Sequence, residues 1–295
     1  SQGFGKSLKI AVTTANASVA ADEEQKIGQR IEGQFLQQLL YGTSSAKSFT
    51  LSFWVKSNIT GTYAMEFQND DNDKVQTATY TISSADTWEK KTITISGDTA
   101  SGFDNDANRS FRVLWWLAAG SNYTSNNASS GAWIARSSNI DSIAYGHAVN
   151  VTSSTSNTFY LTGCQLEVGT SASDFEFLPY DVNLQRCQRY YYLHVSGSQD
   201  VGVGGYYTSS HIFFNITFPN TMRAVPTIDY VSGTDYYKIT RNGATDNFND
   251  IAGGGVASLN EVSLYNNSQV SGTAGDAGYV RSNNASASIA LNSEL

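Results

Sequence analysis

Residues 48–57 read "SFTLSFWVKS". Phe49, Leu51, Phe53 and Val55 take alternate positions, and Thr50, Ser52, Trp54 and Lys56 fall between them. Successive strand side chains point to opposite faces, so the stretch predicts a half-buried β-strand. One residue breaks the division. Trp54, the largest apolar ring, lies on the polar side.

The same period of two recurs on either flank. "SLKIAVT" (7–13) opens the series, and "TYAMEFQ" (62–68) places Tyr63, Met65 and Phe67 on one face. "QTATYTI" (76–82) sets Thr77, Thr79 and Thr81 against Ala78, Tyr80 and Ile82, and "WEKKTITI" (88–95) joins Ile93 and Ile95. "FRVLWWL" (111–117) and "NTFYLTGCQLEV" (157–168) follow. Turn-rich stretches such as "NDDND" (69–73), "SGDTASGFDNDAN" (96–108) and "GSNYTSNNASSG" (120–131) separate them. Short strands spaced by turn signals predict a sandwich or barrel. "GQFLQQLLYG" (33–42), with Leu36, Leu39 and Leu40 at helical spacing, predicts a short helical piece.

A boundary is expected within "SASDFEFLPYD" (171–181), where Pro179 pushes Leu178 toward an extended conformation. This gives domains of 1–178 and 179–295. "DVNLQRCQRYYY" (181–192) then predicts a helix capped by Asp181. The strand-like stretches "GGYYTSSHIFFNITF", "VPTIDYV" and "DYYKITRNG" come after it. From residue 253 the chain is rich in Gly, Ser, Asn and Ala, and either a disordered tail or a closing strand at "SASIALNSEL" fits the pattern.

Hydrophobic residues make up 40% of the 295, so a packed core is feasible. Charged residues are only 15%, against about 25% in ordinary domains, and hydroxyl and amide side chains fill the gap. The net charge is −8 and the 18 Lys+Arg form no basic run, which argues against nucleic-acid binding. No apolar stretch approaches the roughly 20 residues that span a bilayer, so membrane insertion is not expected. The N-terminus lacks the layout of a signal peptide. Cys164 and Cys187 lie on either side of the expected boundary and are expected to be free thiols.

Two groups of segments carry a resemblance. "KIGQRIEGQ" (26–34), "SFTLSFWVKS", "WEKKTITI" and "FYLTGCQLEVG" (159–169) resemble the carbohydrate-binding-module-like jelly roll of bacteriophage tail fibres and related virion appendages. "YDVNLQRCQRYYY" (180–192), "ITFPNTMRAVPTI" (216–228) and the final "NSEL" resemble the distal C-terminal domain of phage tail-fibre proteins. There an "LCQRYY" segment precedes a "P-x-x-M-R-x-x-P-T" turn and the chain often stops at an "AEL"-like end. The "NSEL" end and the run Tyr190–Tyr192 depart from that pattern. The resemblance implies an all-β fold, namely a jelly-roll sandwich followed by a smaller β-domain opened by a short helix. It further implies a receptor-binding component of a virion, often a homotrimer, without catalytic residues in either motif.

Catalytic signatures are sparse. His147, His194 and His211 are far apart and without other ligands at metal-binding spacing. No nucleophile elbow, P-loop or dinucleotide fingerprint occurs, and "VGVGG" (201–205) reads as a turn. Glycoside hydrolysis needs two carboxylates about 5–10 Å apart, and Glu66, Asp70 and Asp104 are the acids whose convergence would make a depolymerase. The oxygen-rich loops offer Asp70, Asp71, Asp73, Asp104 and Asp106 as weak structural Ca²⁺ ligands, with a solvated turn as the simpler account.

Sugar binding makes a clearer demand. A pyranose stacks its C–H face on an aromatic ring and offers hydroxyls to amides and carboxylates. Candidates are Trp54, Trp116, Tyr123 beside Asn122, and the pair Tyr206 and Tyr207. Packing at sheet, domain or subunit contacts explains any single one of these rings. A ligand contact for at least one of the set is the expectation. The function expected from sequence is adhesion of a virion tail fibre to host polysaccharide or lipopolysaccharide, without cleavage and alongside other tail proteins. A purely structural fibre or capsid component and a polysaccharide depolymerase are the alternatives.

Overall fold

The strand read from "SFTLSFWVKS" forms over Phe49–Ser57, and Phe49, Leu51, Phe53 and Val55 are buried in the core. A computed structural model describes residues 3–295, which form two compact units, one ending at Glu176 and one spanning Phe177–Glu294.

The first unit contains β1 (Leu8–Ala11), β2 (Glu24–Glu32), β3 (Phe49–Ser57), β4 (Gly61–Asn69), β5 (Lys74–Ile82), β6 (Glu89–Ile95), β7 (Arg109–Ala119), β8 (Ile134–Ala135) and β9 (Thr158–Val168). They make two sheets, ordered β1-β9-β3-β6 and β2-β7-β4-β5-β8. Setting aside the two-residue β8, this order is the paired Greek key of a jelly roll. The sheets are locked face to face by aromatic side chains. Phe49 meets Phe67 edge-on at 5.4 Å, and Phe53 meets Trp115 at 5.7 Å. Tyr63, Met65, Phe67, Tyr80, Ile82, Ile93, Ile95, Phe111 and Val113 all join this core, as their alternation predicts.

The expected helix at 33–42 is not one. Gly33–Phe35 and Gln37–Leu39 are single 3-10 turns, and Leu40 adopts φ 55, which ends the run. Leu36 and Leu39 are buried while Leu40 is exposed. Anchoring at i and i+3 suits the three-residue period of a 3-10 turn rather than the 3.6 of an α-helix.

The second unit opens with α1 (Tyr180–Gln188), which starts after Pro179 with Asp181 inside its first turn instead of at the cap. The strands are β10 (Tyr191–Ser196), β11 (Asp200–Thr208), β12 (His211–Thr217), β13 (Thr227–Tyr230), β14 (Tyr237–Arg241), β15 (Ala244–Phe248), β16 (Ala252–Ala257), β17 (Glu261–Asn266), β18 (Ala277–Ser282) and β19 (Ser288–Asn292). A three-stranded sheet runs β10-β19-β13, and a seven-stranded sheet runs β15-β14-β18-β11-β12-β17-β16. The C-terminal stretch is therefore a closing strand, with Ala287, Ile289 and Leu291 buried. "VGVGG" lies inside β11 and is no turn. A Cβ at Gly204 would stand 2.7 Å from the Phe213 carbonyl, so the glycine admits close cross-strand approach.

The motifs of the second resemblance meet in one place. Gln188 accepts from Asn220 Nδ2 at 2.7 Å, and the Arg223 amide donates to the Arg189 carbonyl at 2.8 Å. Arg223 Nε donates to the Ser293 carbonyl at 2.7 Å, and Ser293 Oγ donates to the Arg189 carbonyl at 3.0 Å. These residues fasten the helix end, the turn before β13 and the last strand together. Their role in this unit is structural.

Candidate functional site

The outer face of the five-stranded sheet is closed. Trp116 lies there as its register predicts, yet it is fully buried. Residues 120–147 cover it, through Tyr123, Ile134, Ile143 and Ala144. Lys26 Nζ sits 4.5 Å from the Trp116 ring centre, and Tyr123 packs at 5.6 Å. Trp116 is thus a second small core and no exposed platform. Glu66 is buried in the same layer, bound to Arg136 at 3.0 Å with Lys26 at 3.8 Å. His147 anchors the cover by accepting from the Ala64 amide at 3.1 Å. Burial holds its imidazole down to about 4.

Tyr123 anchors the covering loop as well, donating from its hydroxyl to the Asp22 carbonyl at 2.8 Å. Asn122 beside it is exposed and lines a polar hollow of about 490 Å³ with Asp141 and several serines. Tyr206 is buried, donates to Asp246 and carries Arg241 over its ring at 4.3 Å, so it braces the second unit. Tyr207 is exposed on the outer face of the seven-stranded sheet, edge-on to His211 and Phe213.

The acidic loops are tied up locally. Asp70, weighed as a cation ligand, is held by Arg109 at 2.8 Å and bidentately by Arg112, with 2.6 Å to Nη2. Two guanidinium groups already neutralise it. Asp71 accepts from the Asp104 amide at 2.9 Å, Asp73 accepts from Ser137, and Asp106 accepts from the Asn108 amide at 2.9 Å. Among the described residues no three His, Cys, Asp or Glu side chains converge as a metal site. Cys164 and Cys187 are free and exposed.

The outer face of the four-stranded sheet is half open, and Trp54 stands at the opening. The far half is covered by residues 169–174. Thr50 Oγ1 donates to the Gly169 carbonyl at 2.9 Å, Gln165 Nε2 to Ser173 Oγ at 3.1 Å, and Thr50 and Ser52 are buried beneath. The near half presents two cross-strand rows. Lys9 on β1 faces Tyr160 on β9, which faces Lys56 on β3. Trp88, just before β6, lies edge-on to Tyr160 at 6.2 Å. In the next row Thr162, Trp54 and Lys90 stand opposite one another. Lys56 Nζ hangs 4.3 Å from the Tyr160 ring centre and 5.5 Å from that of Trp88. Cation and aromatic ring alternate along and across the rows.

A hollow of about 470 Å³ is enclosed there by Phe4, Gly5, Lys6, Ser7, Trp54, Trp88 and Thr162. Its construction begins with a bulge. The β3–β9 register slips between Ser52 and Trp54, and Gly163 of the bulged strand takes φ +57. With no Cβ, Gly163 lets the Phe4 ring settle on the backbone, where it meets Phe175 at 4.9 Å. Thr162 Oγ1 donates to the Lys6 carbonyl at 2.9 Å and pins the same segment. Residues 4–7 become the wall of the hollow, and the partly exposed Trp54 and Trp88 its floor.

Trp88, Tyr160 and the lysines were not among the residues singled out from sequence. Tyr160 sits between inward Phe159 and Leu161, so strict alternation points it outward, but only the β3–β9 register brings it beside Lys56.

No family model matches the chain, and no curated protein matches it. Among solved structures, a CBM4 protein is similar at 13% identity and TM-score 0.28, over 56% of this chain and 72% of that one. A family 16 carbohydrate-binding module is similar at 13% identity and TM-score 0.27, over 56% and 77%. The PBSX exported protein XepA is similar at 9% identity and TM-score 0.24, over 98% and 87%. Likeness at these scores fixes neither family nor function.

Proposed function

We propose that this protein is a glycan-binding adhesin whose sugar platform is Trp54 with Trp88, in the hollow on the open half of the four-stranded sheet. The carrying observation is the pairing of two partly exposed indoles with polar walls on a face that is otherwise covered or charged. An indole offers a flat apolar surface to the C–H face of a pyranose, and Thr162, Ser7 and the Lys6 ammonium offer partners to its hydroxyls. Among the described residues no carboxylate lines the hollow, whereas hydrolysis of a glycosidic bond takes two. Binding without cleavage is the reading this supports.

The tail-fibre resemblance gives that activity its setting: a virion appendage attached to other tail proteins, displayed as a homotrimer at a host surface bearing polysaccharide or lipopolysaccharide. Weak single sites gain avidity from such display.

The test is Trp54→Ala on a glycan array of neutral and charged polysaccharides, with thermal unfolding and light scattering as controls. Loss of binding by about tenfold or more, the ~1.4 kcal/mol of one stacked ring, with folding and oligomer unchanged, supports the platform. Unchanged binding removes it. Reducing ends released from any polysaccharide would return the depolymerase reading.

A further inference from the structure

Resting on the platform reading, we infer that the hollow takes an anionic polysaccharide, one whose sugar ring stacks on Trp54 while its acidic substituent pairs with Lys56 and Lys90. Charge is unevenly distributed over the molecule. The chain carries a net charge of −8, yet four of its nine lysines, Lys6, Lys9, Lys56 and Lys90, gather on this half-sheet and its wall. Of the other lysines of the first unit, two are neutralised by carboxylates, Lys26 by Glu24 at 2.9 Å and Lys91 by Glu89 at 2.6 Å, and Lys47 and Lys74 lie outside this half-sheet. Among the described residues, these four are in no ion pair.

Lys56 is held over two rings instead, at 4.3 and 5.5 Å. Aromatic faces attract and orient an ammonium without neutralising it, so the charge is positioned and left available. Glu167, on the outer face of β9, lies under the covered half, where hydrogen bonds from Ser173 and, more weakly, the nearby Lys90 ammonium hold its carboxyl below the usual range. Among the described residues Lys56 has no such acid beside it. Trp54 and Lys56 are two residues apart on one face, about 6.6 Å along the strand, and Lys90 stands directly across from Trp54. A ring stacked on Trp54 therefore brings a carboxylate or sulfate on its edge within reach of both ammonium groups. A neutral sugar would leave the Lys56 ammonium unanswered.

The experiment uses the full chain and two matched pairs of probes: polygalacturonate with its methyl ester, and dextran sulfate with dextran. Isothermal titration in 50 mM and 500 mM NaCl is run on the natural protein, Lys56→Met, Lys90→Met, Trp54→Ala and the second-unit control Lys238→Met. The expected result is that at least one anionic probe binds and its neutral partner is about tenfold weaker. Each platform lysine variant loses about two- to five-fold, as exposed ion pairs do, while Lys238→Met changes nothing and high salt weakens binding. Polygalacturonate and dextran sulfate tell a carboxylate ligand from a sulfate ligand. Equal affinity for the neutral partners, or no effect of the lysine variants where Trp54→Ala abolishes binding, overturns the inference and leaves the platform standing. Anionic binding that Trp54→Ala does not alter overturns the platform itself. Absence of binding to both anionic probes overturns the inference, and the neutral array then decides the platform on its own.

Discussion

Replacing Gly163 by alanine tests how the hollow is built without touching the residues proposed to hold sugar. Gly163 has φ +57, where an L-residue costs about 1–2 kcal/mol. The new Cβ would lie 2.4 Å from Phe4 Cζ, far inside the 3.5–4.0 Å of a comfortable carbon contact. Phe4 has to leave its seat, because the other party to the clash is the bulged backbone. The first unit should lose about 1–2 kcal/mol from the backbone alone, which for a domain near this size lowers Tm by about 2–8 °C. All five tryptophans lie in this unit, so their fluorescence follows its unfolding separately from the second unit. Glycan affinity should fall together with Tm, since the wall at residues 4–7 is displaced. In Phe4→Ala, the added Gly163→Ala should cost less than it does alone, because the clash is gone and only the φ penalty remains. A Gly163→Ala protein with unchanged Tm and unchanged binding would refute the reasoning.

Two further outcomes follow from the closed face. His147 is held down to about 4 by burial, against an ordinary value of 6.5. The unfolded chain therefore takes up a proton below pH 6.5 that the folded protein refuses, so stability falls as pH drops from about 6.5 to 4, by at most about 3 kcal/mol at about 1.36 kcal/mol per pH unit. Urea unfolding across that range should show the slope, His147→Gln should flatten it, and an identical slope in the variant would contradict the assignment. Trp116→Ala empties the small core under residues 120–147 and should cost about 3–5 kcal/mol by tryptophan-detected unfolding. Its glycan binding, measured at a temperature where it stays folded, should be unchanged, and a selective loss of affinity would move the site to the covered face.

The first unit was legible because its strands are amphipathic with one face in the core. In β3, β4 and β7 the inward set is strictly alternate, and Phe49, Tyr63 and Phe111 are buried as the pattern demands. Where a sheet is covered on both faces the pattern is silent about what covers it. Trp116 looked exposed because the residues that bury it, Ile143 and Ala144, are nearly thirty positions away in a loop without periodicity. "VGVGG" misled for a related reason: glycine marks both turns and close strand approach, and only the pairing of β11 with β12 decides. Trp54 was found as a violation of polarity, but its companions were not. Tyr160 and Lys56 become neighbours through the β3–β9 register, and Phe4 through a bulge whose only local sign is Gly163. A site assembled from four strands and a terminal segment is written in cross-strand register, which a single sequence does not display.

The most direct measurement is ¹⁵N NMR of the tryptophan indoles during titration with a bound glycan, each indole assigned by its Trp→Phe variant. Trp54 and Trp88 line the hollow and should shift in a saturable, concentration-dependent way, while the buried Trp115 and Trp116 stay in place. A saturable titration in which the Trp54 and Trp88 indoles do not move would contradict the platform.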